Sequence, residues 1–155
     1  MSASEGMCVG AYQRPLPWWL FRDGCVPLTA TGHVATPIGI FDSGLGGLTV
    51  ARAIHAALPA EDLVYLGDTA RVPYGTRSAQ TVVKYALGCA QRLLSFDIKL
   101  LVVACNTASG VALEALRDRL GLPVIGVIQP GASAGVRATR SGRIGVLATA
   151  GTVAS

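Results

Sequence analysis

One stretch of the sequence, residues 99–109, joins a buried strand to side chains that could carry out acid–base chemistry. Residues 100–103 form an apolar, partly β-branched run that is typical of a strand covered on both faces. Cys105, Asn106 and Thr107 follow, and an apolar pattern with helical spacing begins directly after them. A thiol at the first turn of a helix ionises more readily than a free cysteine does. The pattern therefore favours a reactive thiol at a strand end over an inert cysteine in the core.

Three other polar clusters come where the sequence predicts that strands end. They are Asp42-Ser43, Asp68-Thr69 with the following loop that contains Tyr74 and Gly75, and residues 149–152. Because the carboxyl ends of parallel strands open on one edge of a sheet, we expect these clusters to converge on Cys105. Together they would place a carboxylate, hydroxyl groups and backbone N–H donors around a thiol.

Strand patterns alternate with helical patterns along most of the chain, which predicts an α/β fold, a parallel sheet with flanking helices. The predicted strands are residues 38–42, 63–66, 100–103, 123–127 and 143–149. One helical pattern has an apolar face made of Val82, Ala86, Cys89, Ala90 and Leu93. Another has an apolar face made of Val50, Ala53, Ile54, Ala57 and Leu58. Cys89 is therefore expected in the core. Ser78 is expected to be the N-cap of the helix that contains Cys89.

The chain divides into an extension and one domain. Residues 1–36 contain three prolines and an aromatic cluster at 18–21 but no sustained period, which predicts an unstructured or loosely docked extension. Residues 37–155 carry the regular pattern and form the predicted α/β domain. A helical start follows the last predicted strand at the end of the sequence, so we expect this domain to be incomplete at its C-terminal end.

The composition indicates a globular chain, with 51% hydrophobic and 14% charged residues. The net charge is +4, but the arginines are scattered and no stacking aromatics lie between them, so nucleic-acid binding is not indicated. No apolar run reaches the roughly 18 residues that cross a membrane, and no secretory signal is apparent. The four cysteines are irregularly spaced, which favours neither a metal site nor a disulfide framework. These features predict a cytoplasmic protein.

The sequence also argues against common cofactors. The glycines of residues 44–47 do not complete a dinucleotide fingerprint, because Thr49 stands where the third glycine belongs, and no phosphate-binding loop follows. They would instead let the backbone approach a small anion such as a carboxylate. Lys84 and Lys99 are the only lysines, and neither is placed near Cys105, so a pyridoxal enzyme is not expected. We expect no cofactor.

Five motifs together resemble the glutamate racemase family. They are Phe-Asp-Ser-Gly-Leu-Gly-Gly at 41–47, Gly-Asp-Thr-Ala-Arg-Val-Pro-Tyr-Gly at 67–75, Ala-Cys-Asn-Thr-Ala-Ser at 104–109, Gly-Val-Ile-Gln-Pro-Gly-Ala at 126–132 and Ala-Thr-Ala-Gly-Thr-Val at 148–153. They occur in the order found in that family, and the resemblance extends from residue 37 to the end of the sequence. Residues 1–36 lie outside it.

The resemblance implies a cofactor-independent racemase with two similar α/β domains and one catalytic cysteine in each. Cys105 would be the first cysteine, and Asp42 would be the acid that assists it. The residues that would hold the substrate glutamate are Ser43, Tyr74, Gly75, Asn106 and Thr107. The D-glutamate formed would supply peptidoglycan and so maintain cell shape, and a homo-oligomer is compatible with the full-length protein.

The family's second cysteine belongs to a Cys-Thr-His motif that this sequence lacks. The chain therefore resembles the first part of a racemase, and we expect it to be inactive alone. Two other interpretations stay open at this point. One is an aspartate racemase of the same superfamily, and the other is a non-catalytic remnant that binds a ligand or a partner.

Overall fold

A parallel sheet of four strands forms the centre of the molecule, and a further strand pairs antiparallel with one of its edges. The computed structural model describes the backbone of residues 7–11 and all of residues 36–154. The strands are β1 (Met7–Ala11), β2 (Ile38–Asp42), β3 (Leu63–Asp68), β4 (Leu100–Val103) and β5 (Val124–Gly126). They lie in the order β1-β3-β2-β4-β5, and only β1 is antiparallel to its neighbour.

Helices connect these strands in the described part of the chain. They are α1 (Leu48–Ala57), α2 (Ala79–Leu94), α3 (Asn106–Val111), α4 (Leu113–Arg119), α5 (Ile128–Ala138) and α6 (Ala150–Val153), with a short 3-10 turn at Tyr74–Thr76. The predicted α/β class, a parallel sheet with flanking helices, is confirmed. Among the helices of residues 36–154, none has the length and hydropathy needed to cross a bilayer.

Helix α2 forms as the sequence predicts. Ser78 is its N-cap, and the Ser78 hydroxyl accepts a hydrogen bond from the Thr81 N–H at 3.3 Å. The five residues of the predicted apolar face are all buried: Val82, Ala86, Cys89, Ala90 and Leu93. This face packs on the sheet together with residues of α3 and α4.

The sheet separates two apolar clusters, because successive side chains of a strand point to opposite faces. On one face, Phe41, Leu66 and Val103 pack against α2, α3 and α4. On the other face, Ile40 and Tyr65 pack with residues of α1. In α1 only Ala51 is fully buried, and it does not belong to the predicted apolar face. Of that predicted face, Val50 and Ile54 are half-buried, but Ala53, Ala57 and Leu58 are exposed, so the prediction is wrong for these three residues.

The predicted strand at residues 143–149 is wrong. This segment forms no strand in the described structure, and its apolar side chains are exposed: Ile144, Val146 and Leu147. A strand needs a neighbour that accepts its backbone hydrogen bonds as well as a suitable pattern, and the described sheet provides no such neighbour for this segment. The polar end of the segment nevertheless continues into α6 as predicted, with Thr149 as its N-cap.

The N-terminal extension contributes to the sheet. Residues 7–11 form β1, and this strand pairs with β3 from Met7 opposite Asp68 to Ala11 opposite Val64. The sequence predicted an extension without a fold of its own, and this strand is a structural element that the prediction did not include. The aromatic cluster at 18–21 lies outside the described residues.

Two glycine-to-alanine substitutions should have opposite effects on stability. A Cβ atom at Gly67 would lie 2.3 Å from the Gly44 carbonyl oxygen, a backbone atom that can move only with its turn. Gly67→Ala should therefore lower the free energy of unfolding by about 1–3 kcal/mol. A Cβ atom at Gly88 would have no neighbour within 4 Å, and Gly88 lies inside α2. Gly88→Ala should therefore raise the free energy of unfolding by about 0.5–1 kcal/mol.

Urea unfolding of both variants measures the difference directly. Equal effects of the two substitutions would contradict the close approach of Gly67 to the turn at residue 44.

Candidate active site

The carboxyl ends of β2, β3 and β4 bring the predicted polar clusters together. The Cys105 Sγ, after β4, lies 3.3 Å from the Ser43 Oγ, after β2. The Thr107 Oγ1 lies 3.1 Å from the Thr149 Oγ1 at the start of α6. A Cβ atom on Gly75 would lie 2.5 Å from the Thr149 Cγ2, which shows how closely the loop after β3 approaches α6. The predicted convergence is therefore confirmed.

Cys105 occupies the N-cap position of α3. Its backbone is extended, and its Sγ accepts a hydrogen bond from the Ala108 N–H at 3.4 Å. The thiol donates to the Ser43 Oγ, and the Cys105 residue is 6% exposed. Once the proton has left, the Ala108 N–H and the Ser43 hydroxyl can both donate to the thiolate. Such charge-assisted hydrogen bonds are stronger than neutral ones.

Asp42 organises the turn between β2 and α1. Its Oδ2 accepts hydrogen bonds from the Gly44 N–H at 3.0 Å and the Gly47 N–H at 3.1 Å. The carboxylate is thereby placed at the positive end of α1, where a negative charge is favoured. A Cβ atom on Gly47 would lie 2.6 Å from the Asp42 Cβ and 2.9 Å from the Ala104 Cβ, so glycine is needed for the turn to pack against the end of β4.

The loop after β3 is anchored on a second buried carboxylate, Asp68, which is 0% exposed. Its Oδ2 accepts hydrogen bonds from the Tyr74 hydroxyl at 2.5 Å and from the Arg71 Nε at 2.7 Å. The Arg71 guanidinium also lies over the Tyr85 ring, 4.5 Å from its centroid. Burial and then the hydrogen bond to Asp68 raise the pKa of Tyr74 above its usual range, so this hydroxyl stays a neutral donor.

The side chain of Tyr74 therefore points into the core and not into the site. The residue is 1% exposed, and its ring contacts Phe41 and Tyr85 at centroid distances of 6.3 and 5.6 Å. Gly75, the next residue, is partly exposed beside Thr149. The loop that carries Gly75 is thus anchored in the core through Tyr74.

Asn106 and Thr107, the other predicted site residues, differ in exposure. Asn106 is exposed at the first position of α3, directly beside Cys105. Thr107 is 7% exposed, and its hydroxyl is engaged with Thr149. Both residues lie on the same edge of the sheet as the thiol.

Tyr65 is a residue of this region that the sequence reasoning missed. It lies in the apolar run of β3 and therefore has the pattern of an ordinary core residue. Its hydroxyl donates to the Gly44 carbonyl oxygen at 3.0 Å and lies 3.5 Å from the Asp42 Oδ2. The signal that could have revealed it is a phenol within β3, the strand that pairs with the one leading into a glycine-rich turn.

Within residues 36–154 no group of three His, Cys, Asp or Glu side chains is placed to hold a metal ion. The charges that the structure brings to the site are the Asp42 carboxylate and, after ionisation, the Cys105 thiolate. The arrangement can therefore hold a thiol next to hydroxyl and backbone donors and move a proton on or off it.

Alkylation should distinguish the two thiols of this domain. Cys89 is fully buried, and burial followed by the Asp68 charge raises its pKa to about 12. The fraction of Cys89 that is present as thiolate at pH 8 is then only about one in ten thousand. Iodoacetamide should modify Cys105 well before Cys89 in the folded chain, as followed by peptide mass spectrometry. In concentrated urea the two should react at similar rates, and similar rates in the folded chain would contradict these environments.

Comparisons with known proteins show which family the chain resembles. The family model described as Asp/Glu/Hydantoin racemase matches residues 38–155. A glutamate racemase of Geobacter metallireducens is 63% identical over 118 residues, which are 76% of this chain and 44% of that protein. One from Persephonella marina is 58% identical over 118 residues, 76% of this chain and 46% of that protein.

Solved structures give the same result. A glutamate racemase isoform of Bacillus anthracis superimposes with a TM-score of 0.75 at 48% identity, covering 79% of this chain and 46% of that one. A Francisella tularensis glutamate racemase in complex with D-glutamate superimposes with a TM-score of 0.69 at 42% identity, covering 77% of this chain and 44% of that one. The chain thus spans a little under half the length of the relatives that it matches.

Proposed function

This chain belongs to the Asp/Glu/hydantoin racemase family, and on that premise we propose that it carries one half of the active site of a glutamate racemase. The observation that carries the proposal is the placement of the Cys105 thiol 3.3 Å from the Ser43 hydroxyl, beside the turn that Asp42 holds. The similarity to glutamate racemases at 63% and 58% identity supports glutamate as the substrate.

In the proposed reaction the Cys105 thiolate removes the α-proton of one glutamate enantiomer. The S–H bond forms as the Cα–H bond breaks, and the electron pair stays on the α-carbon and its carboxylate. In the proposal, a second thiol on the opposite face, outside the part of the relatives that this chain matches, then donates a proton to the α-carbon. The configuration is inverted with no redox change and no cofactor. General acid–base steps of this kind contribute about 10²–10⁴-fold to a rate.

The proposed roles of the remaining residues follow from their positions. Ser43 donates to the Cys105 thiolate, and the Asp42 carboxylate assists the transfer of the proton. Asn106 is exposed beside the thiol and would contact the substrate. Gly75 and Thr107, which both lie next to Thr149, would contribute a backbone N–H and a hydroxyl. Tyr74 would act through Gly75, because its own hydroxyl is bonded to Asp68.

The biological setting is proposed on the same basis. D-Glutamate is a building block of peptidoglycan, so the reaction would supply cell-wall synthesis and help maintain cell shape. The reactants are small and soluble, and the proposed compartment is the cytoplasm.

A fusion protein tests the proposal. Residues 38–155 would replace the matching 118 residues of the Geobacter metallireducens glutamate racemase, and interconversion of L- and D-glutamate would be followed by circular dichroism. We expect turnover of glutamate and little turnover of aspartate. An inactive fusion that folds would contradict the proposal, and a preference for aspartate would assign the chain to aspartate racemisation.

Within the fusion, Cys105→Ser should lower kcat by at least about 10²-fold, because an alkoxide forms far less readily than a thiolate. Cys89→Ser is the matched control: it removes the same atom from a buried site outside the candidate active site and should leave kcat nearly unchanged. Similar rates in the two variants would exclude Cys105 from the mechanism.

The chain of 155 residues without a fusion partner should not racemise glutamate. Its described residues place one thiol at the site, and inversion needs a proton donor on each face of the α-carbon. Measurable racemisation by the purified chain, abolished by Cys105→Ser, would contradict a two-thiol mechanism.

A further inference from the structure

Beneath the turn at residues 42–47 lies a phenol that the proposed reaction does not use. Tyr65 is 5% exposed, and its ring packs in the apolar cluster that includes Ile40 and Ala104. Its hydroxyl reaches out of this cluster to the Gly44 carbonyl oxygen at 3.0 Å. The Asp42 Oδ2 is farther away, at 3.5 Å, and already accepts two backbone N–H groups. The single phenolic proton is therefore directed chiefly to Gly44.

The Gly44 carbonyl is confined from two sides. Tyr65 donates to its oxygen, and the backbone of Gly67 approaches so closely that a Cβ atom there would lie 2.3 Å from this oxygen. The peptide group that carries the oxygen joins Gly44 to the rest of the turn, and Ser43 directly precedes it. Movement of this carbonyl would therefore change the position of the Ser43 hydroxyl.

The Ser43 hydroxyl is the group that contacts the Cys105 thiol, at 3.3 Å. We propose that Tyr65 is a positioning residue that acts through Gly44 to hold the Ser43 hydroxyl against the Cys105 thiol. The inference rests on the proposed function, since it concerns the thiol that would move the α-proton. Tyr65 itself does not touch the reacting atoms.

The electrostatic setting suits a permanent donor. Burial, followed by the charges of Asp42 and Cys105, raises the pKa of Tyr65 above its usual range. The phenol therefore stays neutral at any pH at which a thiolate and a thiol could exchange protons. Asp42 from β2 and Cys105 from the end of β4 are the ionisable groups that act on it.

The test removes the hydroxyl and keeps the ring. In Tyr65→Phe, the rate of iodoacetamide alkylation of Cys105 in the 155-residue chain at neutral pH should fall by about three- to tenfold, the effect of one lost hydrogen bond. The pH profile of Cys105 alkylation should also move to higher pH, because the Ser43 hydroxyl would no longer be held where it can donate to the thiolate. Peptide mass spectrometry separates Cys105 from the other cysteines. Tyr85→Phe removes the same atom from α2, outside the Asp42 turn, and should leave the rate unchanged.

A double-mutant cycle shows whether Tyr65 acts through Ser43. In a Ser43→Ala background, Tyr65→Phe should have no further effect on Cys105 alkylation, because the group that it positions is absent. A purely structural role of Tyr65 would instead give additive losses. Additive losses, or an unchanged rate in the single variant, would overturn the proposal. A Tyr65→Phe chain that no longer folds would also overturn it, since the hydroxyl would then stabilise the whole domain and not the site.

The fusion protein separates this proposal from the proposed function. In an active fusion, Tyr65→Phe should lower kcat by about three- to tenfold with a smaller change in KM, because the reacting thiol and not substrate binding is affected. An unchanged kcat would count against the positioning role. If the unsubstituted fusion is inactive, the racemase proposal fails, and the alkylation rates still decide whether Tyr65 holds Ser43 against Cys105.

Discussion

The two hydrogen bonds from the Gly44 and Gly47 N–H groups to the Asp42 carboxylate are the interaction on which the site depends. They close the chain into a compact turn at the end of β2 and lead it into α1. Ser43 lies within this turn, so its contact with Cys105 follows from the same geometry. The Asp42 side chain is almost completely buried, and its Oδ2 accepts both of these backbone hydrogen bonds. Folding of the turn and placement of the Asp42 carboxyl group at the carboxyl edge of the sheet are therefore one event.

A second buried carboxylate, Asp68, is compensated in a different way. Its charge is balanced by Arg71 and by the hydroxyl of Tyr74, all within one loop. Asp68 is fully buried, whereas the Arg71 side chain is 33% exposed, so loss of either partner would leave a buried carboxyl group with one hydrogen bond fewer. The domain thus uses one carboxylate to shape the turn that contacts the thiol and another to fix the loop on the other side of the site. The two cysteines differ in position: Cys89 is 0% exposed inside α2, whereas Cys105 is 6% exposed and lies at the N-cap of α3, at the carboxyl edge of the sheet.

Much of the fold could be predicted from the sequence because its strands are buried on both faces. The runs at 38–42 and 100–103 match β2 and β4, and the apolar face of α2 is correct at each position. The prediction failed at 143–149, where an equally apolar run finds no strand to pair with. It also missed α5, whose sequence contains Pro130 and two glycines that disfavour a helix. A local apolar pattern identifies a surface whose burial is favourable. It does not show whether a neighbouring strand or helix is present to cover that surface.

The candidate site shows the same division. Cys105, Asp42 and Ser43 could be predicted to converge, because parallel strands present their carboxyl ends at one edge. The inward direction of the Tyr74 hydroxyl, towards Asp68, could not be predicted. The sequence of a loop does not indicate where the ring of a tyrosine will pack. Tyr65 could not be predicted either, because its neighbours in β3 have the pattern of core residues. Its proposed role depends on one atom, the hydroxyl oxygen, which contacts a turn distant in sequence.

The antiparallel pairing of β1 with β3 has a consequence for how such a chain can change over time. The family model matches residues 38–155, and β1 precedes this region, yet it attaches to an edge of the sheet that the region forms. Main-chain hydrogen bonds form this attachment, and they depend little on side-chain identity. An open sheet edge can therefore accept an added segment of almost any sequence that lacks proline at the donor positions. A lineage can lengthen its N-terminus in this way while the residues that shape the thiol site remain under their own, separate constraints.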